Sequence, residues 1–260
     1  MGRGAAFLTD LYVDLQPSGW RFVPRPSGDG RRADDYLAWD LDAAERAFEG
    51  YAGVFKVQCA GPWTLAAGIE LHRGDRALSD NGATRDIAAA LAEGVAHHVA
   101  EVRRRLPNAT VVVQLDEPSL PAVRQGRIRT ASGFGTLRAI EDTELRDALR
   151  TVFDGTDAPV GVHCCAADVP LDLLGESAFV SLDASLLTTR QYDALGAMVE
   201  NGVAALLGSP DDVPAVWRAI GSGTLVVTPA CGLAGRSPDA ARKALATARE
   251  VARRLAEEGT

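Results

Sequence analysis

From about residue 50 onward, short β-branched runs alternate with longer alanine- and leucine-rich segments. Phe55 to Gln58, Thr110 to Leu115, Val160 to His163, Phe179 to Asp183, Val203 to Leu207 and Leu225 to Thr228 read as strands. Between them, apolar residues at helical spacing predict helices around Leu65 to Leu71, from Asp80 to Leu106 and from Asp142 to Phe153. A short helix is expected at Pro170 to Leu174, and longer ones near Gln191 to Asn201 and Asp212 to Ile220. The last helix opens on Ser237 as N-cap with Pro238 in its first turn. Ala241, Leu245, Ala248, Ala252 and Leu255 form its apolar stripe. Ahead of residue 50, only Ala6 to Leu15 and Trp20 to Val23 offer strands, and the polar, basic stretch Ser27 to Arg32 reads as an exposed loop.

Strands that alternate with helices imply a parallel sheet with helices outside it. The strands read as apolar throughout, as expected of strands buried on both faces. An open doubly wound sheet would fit, but no glycine-rich phosphate loop follows the first strand. Polar and metal-ligating residues recur instead at several strand ends, which suits a barrel whose site lies at the C-terminal ends of its strands. At 260 residues the chain has the length of one TIM-type (β/α)8 barrel, read as a single domain over 1–260. Six strands are found where eight are needed.

Composition narrows the partners. The formal net charge of -8 disfavours nucleic acid and anionic lipid. No apolar run approaches the ~18 residues of a membrane span. The start has no signal-peptide pattern, so a cytoplasmic location with reduced cysteines is expected.

The chemistry concentrates in three places. His163-Cys164-Cys165 follows one strand, Asp183 ends another, and Cys231 lies beyond a third. Imidazole and thiolates from separate strand ends are typical zinc ligands. The competing reading is structural, because a strand-end cysteine often serves as a small buried hydrophobe. An imidazole beside two thiols adds weight to the metal reading, since both ring nitrogens need partners.

Gln58-Cys59-Ala60-Gly61-Pro62-Trp63-Thr64, Gln114-Leu115-Asp116-Glu117-Pro118, His163-Cys164-Cys165 and Cys231-Gly232-Leu233 occur in that order. As a set they resemble the catalytic domain of cobalamin-independent methionine synthase, in the short single-domain form of actinobacteria. The resemblance implies a (β/α)8 barrel that moves a methyl group to the thiol of homocysteine. It implies a zinc site of His163, Cys165, Asp183 and Cys231, with Cys164 as a spacer pointing away from the metal. Asp183 replaces the glutamate of longer members and has a shorter reach. The Asp116-Glu117 pair matches the family's amino-acid-binding motif, with Asp116 holding the ammonium of homocysteine. The alternative for the pair is a structural cap before Pro118. Zinc with two thiolates and one carboxylate carries net charge minus one, which keeps a bound homocysteine thiolate nucleophilic.

Two departures from the family stand out. Its opening Gly-Ser strand and its second, acidic strand are not found, so the barrel is expected to lack its first two strands, N-terminally truncated relative to the family, whether through a start assigned too far downstream, a decayed copy or a gap covered by a partner. The loop Leu207-Gly208-Ser209-Pro210 lacks the histidine that longer members place there, while His72, His97 and His98 fall on or beside helices, solvated or packed. The methyl donor is therefore methyltetrahydrofolate or a methylcorrinoid. Two other readings remain at this point: an inactive zinc-binding remnant or partner subunit, and a uroporphyrinogen decarboxylase-like enzyme, which would need an arginine cluster and no metal.

Overall fold

Ser27 starts a helix, not a loop. Its side chain accepts the Gly30 N–H at 2.8 Å and donates to the Val13 carbonyl, and α2 then runs from Gly28 to Ala47. The stretch has the charged composition of a loop because α2 is almost wholly exposed, with Ala33 its one buried residue. An N-cap serine of this kind contributes about 1 kcal/mol. The computed structural model describes residues 1–221 and 223–258, and it falls into two units, the first ending at Val160 and the second starting at Gly161.

In the first unit a short helix α1 (Gly2–Ala5) precedes an antiparallel hairpin, β1 (Tyr12–Gln16) and β2 (Gly19–Val23). The hairpin is tied to the chain beyond it by the Arg21–Glu70 ion pair and by backbone bonds between Phe22, Trp20 and Glu70. Next come β3 (Val54–Ala60) and β4 (Thr110–Asp116), paired in parallel with Lys56 opposite Val112 and Gln58 opposite Gln114. Between them lie α3 (Pro62–Gly68) and the 25-residue α4 (Asn81–Arg105), capped by Asp80, which accepts the Ala83 N–H at 2.9 Å. Ile87, Leu91, Val95, Val99 and Val102 of α4 are buried at helical spacing, as are Leu145, Leu149 and Val152 of α6 (Asp142–Asp154). Between β4 and α6 runs the short α5 (Leu120–Arg124).

Alternation divides the two faces of the strands. Val111, Val113 and Leu115 of β4 and Val57 and Cys59 of β3 are buried, whereas Lys56 and Gln58 are exposed. β3 is thus two-sided, unlike the fully apolar strands expected.

The second unit carries β5 (Val160–Cys164), β6 (Phe179–Asp183), β7 (Ala204–Gly208) and β8 (Leu225–Val227), parallel and in chain order. Val162 faces Val180, Phe179 faces Ala204 and Ala205 faces Leu225. Helices α7 (Thr189–Glu200), α8 (Val213–Ile220) and α9 (Pro238–Glu258) alternate with them. Ser237 caps α9 through a 3.3 Å bond from the Ala240 N–H. The α9 stripe is shifted from the expected one: Ala248, Val251 and Leu255 are buried, while Leu245 is 54% exposed. The described residues therefore contain six parallel strands in helix-alternating order, a partial barrel; eight are not seen. No helix among them is long and apolar enough to cross a membrane.

Candidate functional site

His163, Cys165 and Cys231 come together at the strand ends of the second unit. Their ligand atoms all lie within 4.8 Å of one another. The phase of β5 explains why His163 and Cys165 join and Cys164 does not. Val160, Val162 and Cys164 are buried, Cys164 at 1% exposure, whereas His163 and Cys165 are half-buried. Residues i and i+2 of a strand share a face.

His163 is oriented by the neighbouring strand. It sits opposite Ser181, and its Nδ1 lies 3.1 Å from the Ser181 carbonyl and 3.0 Å from the Ser181 hydroxyl. A carbonyl accepts only, so the proton rests on Nδ1 and the Nε2 lone pair becomes the ligand. Cys231 is exposed and comes from the segment after β8. That segment turns back on β7, with the Thr228 N–H bonded to the Leu207 carbonyl at 2.8 Å. Gly208 makes the approach possible, because a Cβ there would overlap the backbone of Ala230.

Asp183 is not one of the three clustered residues. Its Oδ1 accepts the Ser185 N–H at 3.0 Å, the Ser185 hydroxyl at 2.7 Å and the Ser209 hydroxyl at 2.6 Å. Burial alone would raise this carboxyl, but those bonds and the nearby His163 hold it below its ordinary pKa. Asp183 stays an anion beside the cluster.

The donor set fits zinc. Zinc–thiolate bonds of ~2.3 Å and zinc–imidazole bonds of ~2.0–2.1 Å put tetrahedral ligands roughly 3.3–3.8 Å apart. A contraction of about 1 Å from the present spacing would satisfy that.

The Asp116-Glu117 pair lies in the first unit, and its two carboxyls have opposite environments. Glu117 is fully buried. Its Oε1 accepts the Trp63 N–H at 2.8 Å, and its Oε2 accepts the Thr64 N–H at 2.8 Å and the Thr64 hydroxyl at 2.7 Å. It thereby caps α3, and Gly61 is needed because a Cβ there would overlap the Glu117 carboxylate. Desolvation, opposed by those bonds, pushes Glu117 up to about 7. Asp116 is half-buried, and its Oδ1 accepts the Gln114 side-chain N–H at 2.7 Å. Lys56 donates to Gln114 at 2.8 Å and to Gln58 at 3.1 Å. Cys59, on the opposite face of β3, is buried, and burial with the two nearby acids pushes its thiol pKa up, so it stays protonated. His97 is exposed, while His98 packs edge-on against Phe7 with ring centroids 4.8 Å apart; burial lowers its pKa.

Ser181, Gln114, Lys56 and Gly208 were not singled out from the sequence as site-forming residues. The strand period could have flagged Gln114 and Ser181, polar residues two positions before Asp116 and Asp183 on the same faces.

Parallel strands alternating with helices, with imidazole and thiol donors gathered at the strand ends, define an α/β protein with a group of residues that could hold a metal at the C-terminal ends of its strands. Residues 50–254 match the family described as the catalytic domain of cobalamin-independent synthase, and the chain belongs to that family. Among solved structures it is similar to a B12-independent methionine synthase from a Shewanella species, in complex with selenomethionine, with a TM-score of 0.60 at 13% identity. That alignment covers 84% of this chain and 67% of the other. A carboxyl transferase domain variant of Rhizobium etli pyruvate carboxylase, with pyruvate, aligns over 85% of this chain and 51% of its own at 13% identity, with a TM-score of 0.28. Comparison with curated protein sequences returns no match.

Proposed function

We propose that this protein is a zinc-dependent S-methyltransferase that moves a methyl group to the thiol of homocysteine, forming methionine. The observation that carries this reading is the meeting of His163, Cys165 and Cys231 within 4.8 Å, in a chain of the cobalamin-independent synthase family. These three residues would hold the zinc. Asp183 would be the fourth partner, through Oδ2, since its hydrogen bonds from Ser185 and Ser209 all converge on Oδ1. Zinc in such a site supplies an acceptor thiol that is deprotonated at neutral pH.

The chain's own residues then orient the acceptor. Asp116, held by Gln114, receives the ammonium of homocysteine. Glu117 serves this site indirectly, by fixing the start of α3 beside Asp116. In the overall reaction a sulfur–carbon bond forms as the donor–methyl bond breaks, and the bonding pair leaves with the donor. Holding both reactants together supplies the proximity that an in-line transfer needs.

The donor is methyltetrahydrofolate or a methylcorrinoid. A folate nitrogen must gain a proton as it leaves, and the segment after β7 offers Ser209 and Pro210 but no histidine. Ser209 already donates to Asp183. A corrinoid leaves without needing a proton, which favours it here.

Measuring bound zinc and methyl transfer in one preparation tests the proposal. Asp116→Asn is expected to weaken homocysteine binding roughly tenfold or more, because it removes a charged partner of the ammonium, while zinc content stays unchanged. Zinc-free protein that still methylates homocysteine would refute it.

A further inference from the structure

We infer that Lys56 binds the α-carboxylate of the amino-acid substrate, so that Lys56 and Asp116 grip the two charges of a zwitterion; this rests on the amino-acid role proposed for Asp116. Both residues line one cavity of about 570 Å³ in the first unit, together with Gln58 and Thr64. A lysine on a solvent-facing strand position normally extends into water. Lys56 instead folds along the sheet, donating to Gln58 and to Gln114.

Gln114 shows what the pair is spaced to hold. Its side-chain oxygen accepts from Lys56 at 2.8 Å, and its nitrogen donates to Asp116 at 2.7 Å. At 6% exposure it is pinned between them. A primary amide thus offers an acceptor to the cation and a donor to the anion, over a span of at most roughly 8 Å. An α-amino acid offers the same pattern, with carboxylate to Lys56 and ammonium to Asp116, over roughly the same length. An ammonium has three donors. Gln58 and Gln114 take two of them among the described residues, which leaves one for the ligand.

Three ligands separate the possibilities in calorimetric titrations of the full chain. Homocysteine carries thiol, ammonium and carboxylate; norleucine lacks the thiol; 3-aminopropanethiol lacks the carboxylate. Lys56→Met is expected to weaken homocysteine and norleucine about 10- to 100-fold and to leave 3-aminopropanethiol unchanged. Lys56→Arg should keep much of the affinity, and unchanged melting of both variants shows that they fold. Equal loss for all three ligands, no loss for homocysteine, or no binding of either amino acid by the unmodified protein overturns the inference. Norleucine loss in Lys56→Met without any methyl transfer by the unmodified protein would keep the clamp and overturn the reaction. Methionine formation with an unchanged KM for homocysteine in Lys56→Met would do the reverse.

Discussion

His163 and Ser181 sit opposite each other on adjacent parallel strands, and Ser181 meets the imidazole Nδ1 twice, through its carbonyl and through its hydroxyl. This contact sets the tautomer, and with it the nitrogen that a metal would meet. Partners of this kind usually alter metal affinity 10- to 100-fold when lost. Ser181→Ala keeps the carbonyl contact, so its effect should fall near the low end: about tenfold weaker zinc binding in a chelator competition, with the fold unchanged.

The thiols of Cys231 and Cys164 should behave differently. Cys231→Ser removes one of the three clustered donors and is expected to take most of the zinc with it, read as metal per chain after dialysis. Cys164→Ser should leave the zinc nearly intact. Its cost is in stability, about 1–3 kcal/mol, because a hydroxyl replaces a thiol at a position 1% exposed. Equal metal loss from the two variants would mean that the face of β5 is misassigned.

Much of this organisation is legible in the residues, and the failures have identifiable causes. All six parallel strands show as β-branched or apolar runs; β3 to β7 each bury at least one face, while β8 is half-buried on one face and exposed on the other. Helix α2 was hidden because its charged, exposed surface has the composition of a loop, and its only firm signal is the Ser27 cap. The thiols and His163 stand out as residue types, but their meeting depends on the close approach at Gly208, which needs the strand pairing to be known. Asp116 and Glu117 are neighbours with the same chemistry. Only burial separates the exposed-side carboxylate from the helix cap.

Glu117 should give the protein a stability that depends on pH. Its folded pKa of about 7 lies above the ordinary 4.5, so the native state holds the proton more tightly than the unfolded chain. That contribution is fully present below about 4.5 and is lost as pH rises through about 7, on the order of 3 kcal/mol in all. Chemical denaturation from about pH 5 to about pH 8 should show this decline. Glu117→Gln should flatten it. The variant should also be less stable by about 1–3 kcal/mol, because one amide N–H2 would face the Trp63 or Thr64 N–H where a carboxylate oxygen accepted.

The central proposal is that the clustered imidazole and thiols serve methyl transfer to a thiol. The most direct measurement gives zinc-loaded protein homocysteine with methylcobalamin or with methyltetrahydrofolate and follows methionine. Methionine should form, at least as fast from the methylcorrinoid as from the folate, and should disappear when zinc is stripped and return when it is restored. No methionine from either donor, with homocysteine leaving the zinc coordination unchanged, would contradict the account and make this chain a metal-binding member of the family without the reaction.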